Sequence, residues 1–451
     1  MNNLLKTAGL AVLSFGGAVA LAGDKLDGRW DAQLVRDQTV IPFRLDISGS
    51  GKSLRGTLYD GFRAYEYTTG ASYDDGKLVL NIEHYLTTIS AQLQDGKLVG
   101  DVVAQNRGSR AEYGFVATRH DASKDGASDA AFKAANAPSI GGDWEIPLSS
   151  PSSKGEKAFR LIVDQRGAEV AASILRVDGD TGAYSGTFQD GQWVLSHFDG
   201  SRPGVIVVKP AADGTLEIVQ NVQRPRTESA GEYGSNAPDG RYDTKLVAYR
   251  PDVARAKGLP EPANHLAHTT ARDPNEKFAF AFKDIDGKLV TNDDVDHKGQ
   301  VVLAIVTGTW CPNCHDEAQY LIQLDRKYRD KGLRIVALNF EEVEQQDSLQ
   351  RVKAFVKQYG VKYPYLQAGA PEEMWEKVPQ LVNLNTWPAT VFVGRDGTVR
   401  AVHAGFASPS TGDFYAKQQE EFTSRIEKLL AEKKPADVRV TSNTAPVKFG
   451  P

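Results

Sequence analysis

Short runs of alternating apolar and polar residues, parted by turn signals, fill the chain from Asp24 to about Arg250, and little in that stretch has helical period. Ile41–Ile47, Lys77–Ile82 and Gly114–Thr118 read as strands. Asp74-Asp75-Gly76, Asp95-Gly96 and Asp190-Gly191 supply residues that tolerate positive φ in tight hairpin turns. The pattern predicts an all-β region, and it repeats. LDGRW at Leu26–Trp30 resembles IGGDW at Ile140–Trp144, and FRL follows at Phe43–Leu45 and Phe159–Leu161. YDDGKLVL at Tyr73–Leu80 resembles FQDGQWVL at Phe188–Leu195, and the halves end on VATR at Val116–Arg119 and VAYR at Val247–Arg250. Two related antiparallel β modules, sandwich-like or barrel-like, are the simplest account. Trp30 and Trp144 read as core residues rather than ligand platforms.

Between the halves, Asp121–Ser139 is rich in Ala, Asp, Ser and Lys and reads as a linker with room for one short helix. From Pro251 the composition turns to Pro, Ala, His and charged residues, which reads as a second linker. His265 and His268 stand three apart there without a Cys or a dense carboxylate cluster, so no metal site is expected. Beyond it the grammar changes to βαβ. Val301–Val306 is a continuous apolar run suited to a central buried strand. Ala318, Leu321, Ile322, Leu324 and Tyr328 recur with helical spacing, and Arg334–Phe340 reads as a second buried strand. A helix over Val352–Tyr359, a strand over Ala389–Val393, a turn at Arg395-Asp396-Gly397, a strand over Val399–Val402 and a helix over Asp413–Glu432 complete the pattern.

A chain of 451 residues is expected to hold two or three domains, and its 41% hydrophobic and 25% charged residues are those of an ordinary globular protein. A net charge of −5 without a clustered basic face argues against nucleic acid. The first residues carry Lys6, an apolar run from Ala8 to Leu21, and Ala20-Leu21-Ala22, the pattern of a secretory signal peptide cut after Ala22. The mature chain would be periplasmic or otherwise exported, and soluble; an uncleaved N-terminal anchor is the alternative. No Cys lies near the N-terminus, which excludes a lipoprotein.

The only cysteines are Cys311 and Cys314, so the exported chain has no framework of structural disulfides to compete with a reactive pair. They fall between a buried strand and an amphipathic helix, where unpaired N–H groups and the helix dipole stabilise a thiolate at the first position. Cys311 is the candidate nucleophile and Cys314 the resolving thiol, with Pro312 suited to the first helical turn. A zinc half-site would need two more ligands, and a purely structural disulfide across two residues would constrain the unfolded chain little.

TWCPNCHDE at Thr309–Glu317, with Trp387-Pro388-Ala389-Thr390 downstream, resembles the thioredoxin superfamily, and within it the TlpA-like and ResA-like thiol-disulfide oxidoreductases. The resemblance covers about Asp273 to Leu430; Phe278–Asp286 resembles that family's N-terminal hairpin and Glu341–Leu366 its central insertion. It implies that Pro388 is the cis-proline beside the active-site sulfurs, next to a backbone edge that pairs with a substrate strand. It implies that Glu317 exchanges protons with Cys314, whereas read alone Glu317 is an exposed first-turn charge. Trp310, Pro312, Asn313 and Trp387 would line the substrate groove, Trp387 being bulkier than the family's usual residue. Ile305 replaces the buried Asp of thioredoxins proper, which removes that proton route. Peroxiredoxins share the fold, but their Thr or Ser three residues before the cysteine is here Gly308.

The expected division is signal peptide 1–22, β module 23–120, linker 121–139, β module 140–250, linker 251–272, α/β thioredoxin-like domain 273–434 and flexible tail 435–451. The expected activity is dithiol-disulfide exchange with protein substrates, as a reductase rather than an oxidase. It would need no bound cofactor beyond the redox-active cysteine pair, and would draw electrons from a membrane or periplasmic thiol reductant. The alternative makes the duplicated β region an envelope binding or scaffold module, able to hold a dimer, with the thioredoxin-like domain as its accessory.

Overall fold

Most strands that follow one another in the first half of the molecule pair as antiparallel neighbours, because short turns return the chain beside the strand it has just left. The computed structural model describes residues 26–37, 39–106, 109–122, 136–223, 241–294 and 296–434. The expected signal peptide, most of the first linker and the tail lie outside the described residues. Nine antiparallel strands from Gly28 to Arg119 form one sheet in which the last, Ser109–Arg119, returns to the first, Gly28–Arg36. A second antiparallel sheet runs from Gly142 to Ala248. There Tyr249, just past the last strand, exchanges two backbone hydrogen bonds of 2.8 Å with Glu145 on the first. The Asp-Gly turns take positive φ at both residues: 46° and 78° at Asp75-Gly76, 48° and 81° at Asp190-Gly191.

Corresponding residues occupy corresponding places. Trp30 pairs with Leu45 and Trp144 with Leu161. The Trp30 indole donates to Leu26 O at 2.9 Å and the Trp144 indole to Ile140 O at 2.8 Å, each four residues back. Arg119 lies over the Trp30 ring and Arg250 over that of Trp144, 4.4 and 3.8 Å from the centroids. Trp30 is 0% exposed at the centre of the first sheet's core. Trp30→Ala is therefore expected to cost about 3–5 kcal/mol, read as a lowered urea midpoint; a solvent-facing platform would lose almost nothing. The two sheets also share packing. Phe198 and Val205 of the second enter the first one's core, with Phe198 4.9 Å from Phe43, and Ser196 Oγ donates to Pro42 O at 2.6 Å.

The C-terminal sheet has seven strands, in the order Leu289–Thr291, Ala281–Asp284, Tyr365–Gly369, Leu333–Phe340, Val301–Thr307, Ala389–Val393, Val399–Ala404. Val301–Thr307 is buried along its whole length, parallel to Leu333–Phe340 and antiparallel to Ala389–Val393. Helices Pro312–Tyr328, Gln350–Tyr359 and Asp413–Leu430 cover the sheet. The segment read as a linker, 251–272, is docked on this domain. Thr270–Ala271 pairs with Leu381–Val382, and a His265 ring nitrogen lies 2.8 Å from Ala404 O.

Candidate functional site

The central strand ends at Thr307, the chain turns through Gly308-Thr309-Trp310, and Cys311 caps the helix that begins with Pro312. Gly308 has a steric reason to be glycine: a Cβ there would lie 3.0 Å from Phe340 O and nearer still to the Trp310 indole nitrogen. That indole donates to Phe340 O at 3.0 Å, and its ring meets the edge of Trp387 at 5.2 Å. The Trp387–Pro388 bond is cis. Sheet register brings it to the cysteines, because Ala389, the next residue, pairs with Val306. The Cys311 thiol donates to Trp387 O at 3.4 Å.

The two thiols are made unequal. Burial opposes ionisation of Cys311, but the Cys314 thiol and backbone N–H both donate to its sulfur, and the balance lowers its pKa below the ordinary thiol value. Burial, and the same hydrogen bond seen from the donor side, push the Cys314 thiol well up. Glu317, one turn along the helix, is 1% exposed. Burial raises its carboxyl to about 8 against the pull of Thr390, whose hydroxyl donates to Oε1. Thr390 stands two residues after Pro388, so the sequence that supplies the cis-proline also holds the acid.

Cys311, Cys314, Glu317, Trp310, Trp387 and Pro388 thus come together. Asn313 faces the second β sheet instead of an open groove: its Nδ2 donates to Asp178 O at 2.9 Å, and its Oδ1 accepts from Arg202 at 3.2 Å. Several residues to which the sequence pattern assigns no role at the site surround the helix start. Thr309 donates to Glu341, which with Glu342 holds the buried Arg351. His315 lies between Thr309 O at 2.7 Å and the Tyr359 hydroxyl at 3.0 Å, its ring 4.4 Å from Tyr85 in the turn Glu83–Tyr85 between two strands of the first sheet. Tyr359 also donates to Glu66 at 3.1 Å. Asp316 is 3% exposed, and neither carboxylate oxygen has a hydrogen-bond partner among the described residues. Burial pushes its pKa well up. His268 lies 2.6 Å from Asn385 Oδ1 and His265 stacks on His403. Among the described residues no group of three or more His, Cys, Asp or Glu is placed to hold a metal ion.

Comparison with known proteins falls on this domain. Residues 274–402 match the AhpC/TSA family model. The thiol-disulfide oxidoreductase ResA of Bacillus thuringiensis (strain Al Hakam) is 32% identical over 120 residues, which are 27% of this chain and 62% of the relative. The ResA of Halalkalibacterium halodurans is 26% identical over 154 residues, 34% of this chain and 81% of the relative. The chain thus spans less than two thirds of the Bacillus thuringiensis protein. Among solved structures, a thioredoxin-family thiol:disulfide interchange protein from Chlorobium tepidum TLS matches 36% of this chain and 99% of its own, at 21% identity and TM-score 0.28. A DsbF homologue from Corynebacterium diphtheriae matches 36% of this chain and 92% of its own, at 18% identity and TM-score 0.28.

Proposed function

The C-terminal region is a ResA-like domain of the thioredoxin superfamily, and from that premise we propose that the protein is an exported thiol-disulfide oxidoreductase acting on protein disulfides as a reductase. The observation that carries it is the placement of Cys311, capping a helix with its sulfur on the carbonyl of the residue before cis-Pro388. The Cys311 thiolate attacks one sulfur of a substrate disulfide, forms a mixed disulfide and releases the other sulfur as a thiolate. Cys314 then loses its proton and attacks the Cys311 sulfur. The second substrate thiol leaves, and two electrons have passed from the cysteine pair to the substrate. Glu317 takes the Cys314 proton, which the raised pKa of that thiol makes necessary. A thiol reductant of the membrane or periplasm restores the dithiol, and no bound cofactor takes part.

Export rests on the pattern of residues 1–22; among the described residues no helix is long and apolar enough to cross a membrane. The matched turns, tryptophans and arginines support reading the β region as two copies of one barrel-like module. Its contacts with the start of the cysteine helix favour a role in service of the redox site over an independent scaffold.

The test is the reduction potential of the Cys311–Cys314 couple, measured by alkylation after equilibration in glutathione or dithiothreitol buffers. A reductase is expected near the thioredoxin value of about −270 mV, and a value near about −120 mV would make the protein a disulfide donor.

A further inference from the structure

We propose that the tip of a hairpin in the second β sheet, Val177–Gly182, is a cap that covers Cys311 and must lift before a protein disulfide reaches it. The inference rests on the oxidoreductase reading and adds a control on the same site. Exchange requires the nucleophilic sulfur to meet a disulfide sulfur directly. Yet Cys311 is 5% exposed and Cys314 1%.

The cap is fitted to the residues that flank the cysteines. Gly179 bridges Phe406 in parallel register and has φ +120°. A Cβ on it would stand 2.5 Å from Asn313 Nδ2 and closer to Phe406 O, so backbone lies directly against the residue between the two cysteines. On the facing side Gly405 is just as bare: a Cβ there would run into Val177 O and the Asp178 backbone. Gly405 N donates to Pro388 O at 2.8 Å, so the loop under the cap is tied to the cis-proline itself.

Polar contacts fasten this arrangement from three parts of the chain. Asn313 is held through both ends of its amide, by Asp178 O and by Arg202. Asp180 accepts from Ser408 N at 2.5 Å and from Gly182 N at 2.8 Å. Asp60 of the first sheet accepts from Ala183 N at 2.6 Å and from the Ser410 hydroxyl. Hydrogen bonds that water can replace thus help to hold the cap tip down. Asp316, near enough to Arg202, Asp180 and Asp60 to interact with their charges, has no partner for its carboxylate among the described residues, and a buried carboxyl in that condition gains from hydration. The arrangement is built to separate.

The test uses the reduced full-length protein. The rate of Cys311 alkylation by iodoacetamide and by a polyethylene-glycol maleimide, and the rate of insulin reduction with dithiothreitol, are measured for wild type, Gly179→Ala and Ser410→Ala. At φ +120° an alanine is strained and its Cβ strikes Asn313, so Gly179→Ala pushes the tip away; Ser410→Ala removes one fastening. Alkylation and insulin reduction are expected to rise at least about tenfold in Gly179→Ala and less in Ser410→Ala, as for a site reached through local opening. The bulky reagent should gain more than the small one. The cap is overturned if native wild type reacts with both reagents as fast as urea-unfolded wild type does, a comparison that stands even if Gly179→Ala fails to fold. It is also overturned if wild type reduces insulin at the rate of a folded Gly179→Ala, an outcome that leaves the oxidoreductase reading intact. If alkylation rises in Gly179→Ala while neither protein reduces insulin or oxidised glutathione, the cap stands and the oxidoreductase reading falls.

Discussion

Cys311→Ser is expected to abolish insulin reduction, by at least about a thousandfold, because removing a covalent nucleophile leaves nothing for the remaining groups to assist. Cys314→Ala should behave differently: it still attacks, but the reaction stops at the mixed disulfide, which accumulates as a substrate adduct resolvable on a non-reducing gel. The asymmetry follows from the site. The Cys314 thiol and N–H donate to the Cys311 sulfur and lower its pKa, whereas Cys314 is buried as the donor and its pKa is pushed well up. Of the two thiols, Cys311 is the one that ionises more readily and so attacks first. Taking away the Cys314 thiol removes one of those donors, so the Cys311 pKa, read from the pH dependence of alkylation, should rise toward the ordinary thiol value in Cys314→Ala. Wild-type activity in Cys311→Ser would place the chemistry elsewhere in the chain.

Local pattern carried much of the fold. Period-two alternation and Asp-Gly turns identify Lys77–Ile82 and the Asp190-Gly191 hairpin, since one buried face and positive φ leave marks on single residues. The apolar run of the central strand, which the structure extends to Thr307, is legible for the same reason. The cysteine pair needed only its place between that strand and an amphipathic helix. What did not show is where the β region sits. Asp60, Asp178, Arg202, Asn313 and Ser408 meet at one junction from positions up to 348 residues apart. A buried polar network has no period, and each member alone reads as an exposed charge or a loop residue. Asn313 reads as groove lining for that reason. His265 reads as part of a linker because Pro and Ala dominate its neighbours, although its ring packs on His403 and Phe414. Glu317 alone reads as a first-turn surface charge, and only the resemblance assigns it to Cys314; its burial against Thr390 is a tertiary contact that no local pattern carries.

That burial makes Glu317→Gln the sharpest separation of stability from activity. The folded carboxyl has a pKa of about 8 against 4.5 in its ordinary state. A raised carboxyl keeps its proton in the folded protein after the unfolded chain has released it, so its contribution to stability is whole below about pH 4.5 and is lost as pH rises toward 8. At pH 7 some 2.5 units of that interval have been crossed, and the loss is about 3 kcal/mol. Glutamine does not ionise, and it still offers an oxygen to the Thr390 hydroxyl. Its NH2 replaces Oε2, which has no hydrogen-bond partner among the described residues either. The variant should therefore match wild type near pH 4 and become more stable as pH rises, by about 3 kcal/mol at pH 7, in urea melts across the range. Activity should move the opposite way. Without a group to take the Cys314 proton, resolution of the mixed disulfide should slow about a hundredfold at pH 7, and the dependence on a group titrating near pH 8 should vanish from single-turnover kinetics. Parallel stability profiles for the two proteins from pH 4 to 8 would mean that Glu317 is ionised and solvated; a gap that widens with pH beside wild-type resolution in the variant would leave it a buried acid with no part in proton transfer. The gain in stability and the loss in rate have one cause, the burial that brings the carboxyl's pKa near neutrality one helical turn from the second thiol.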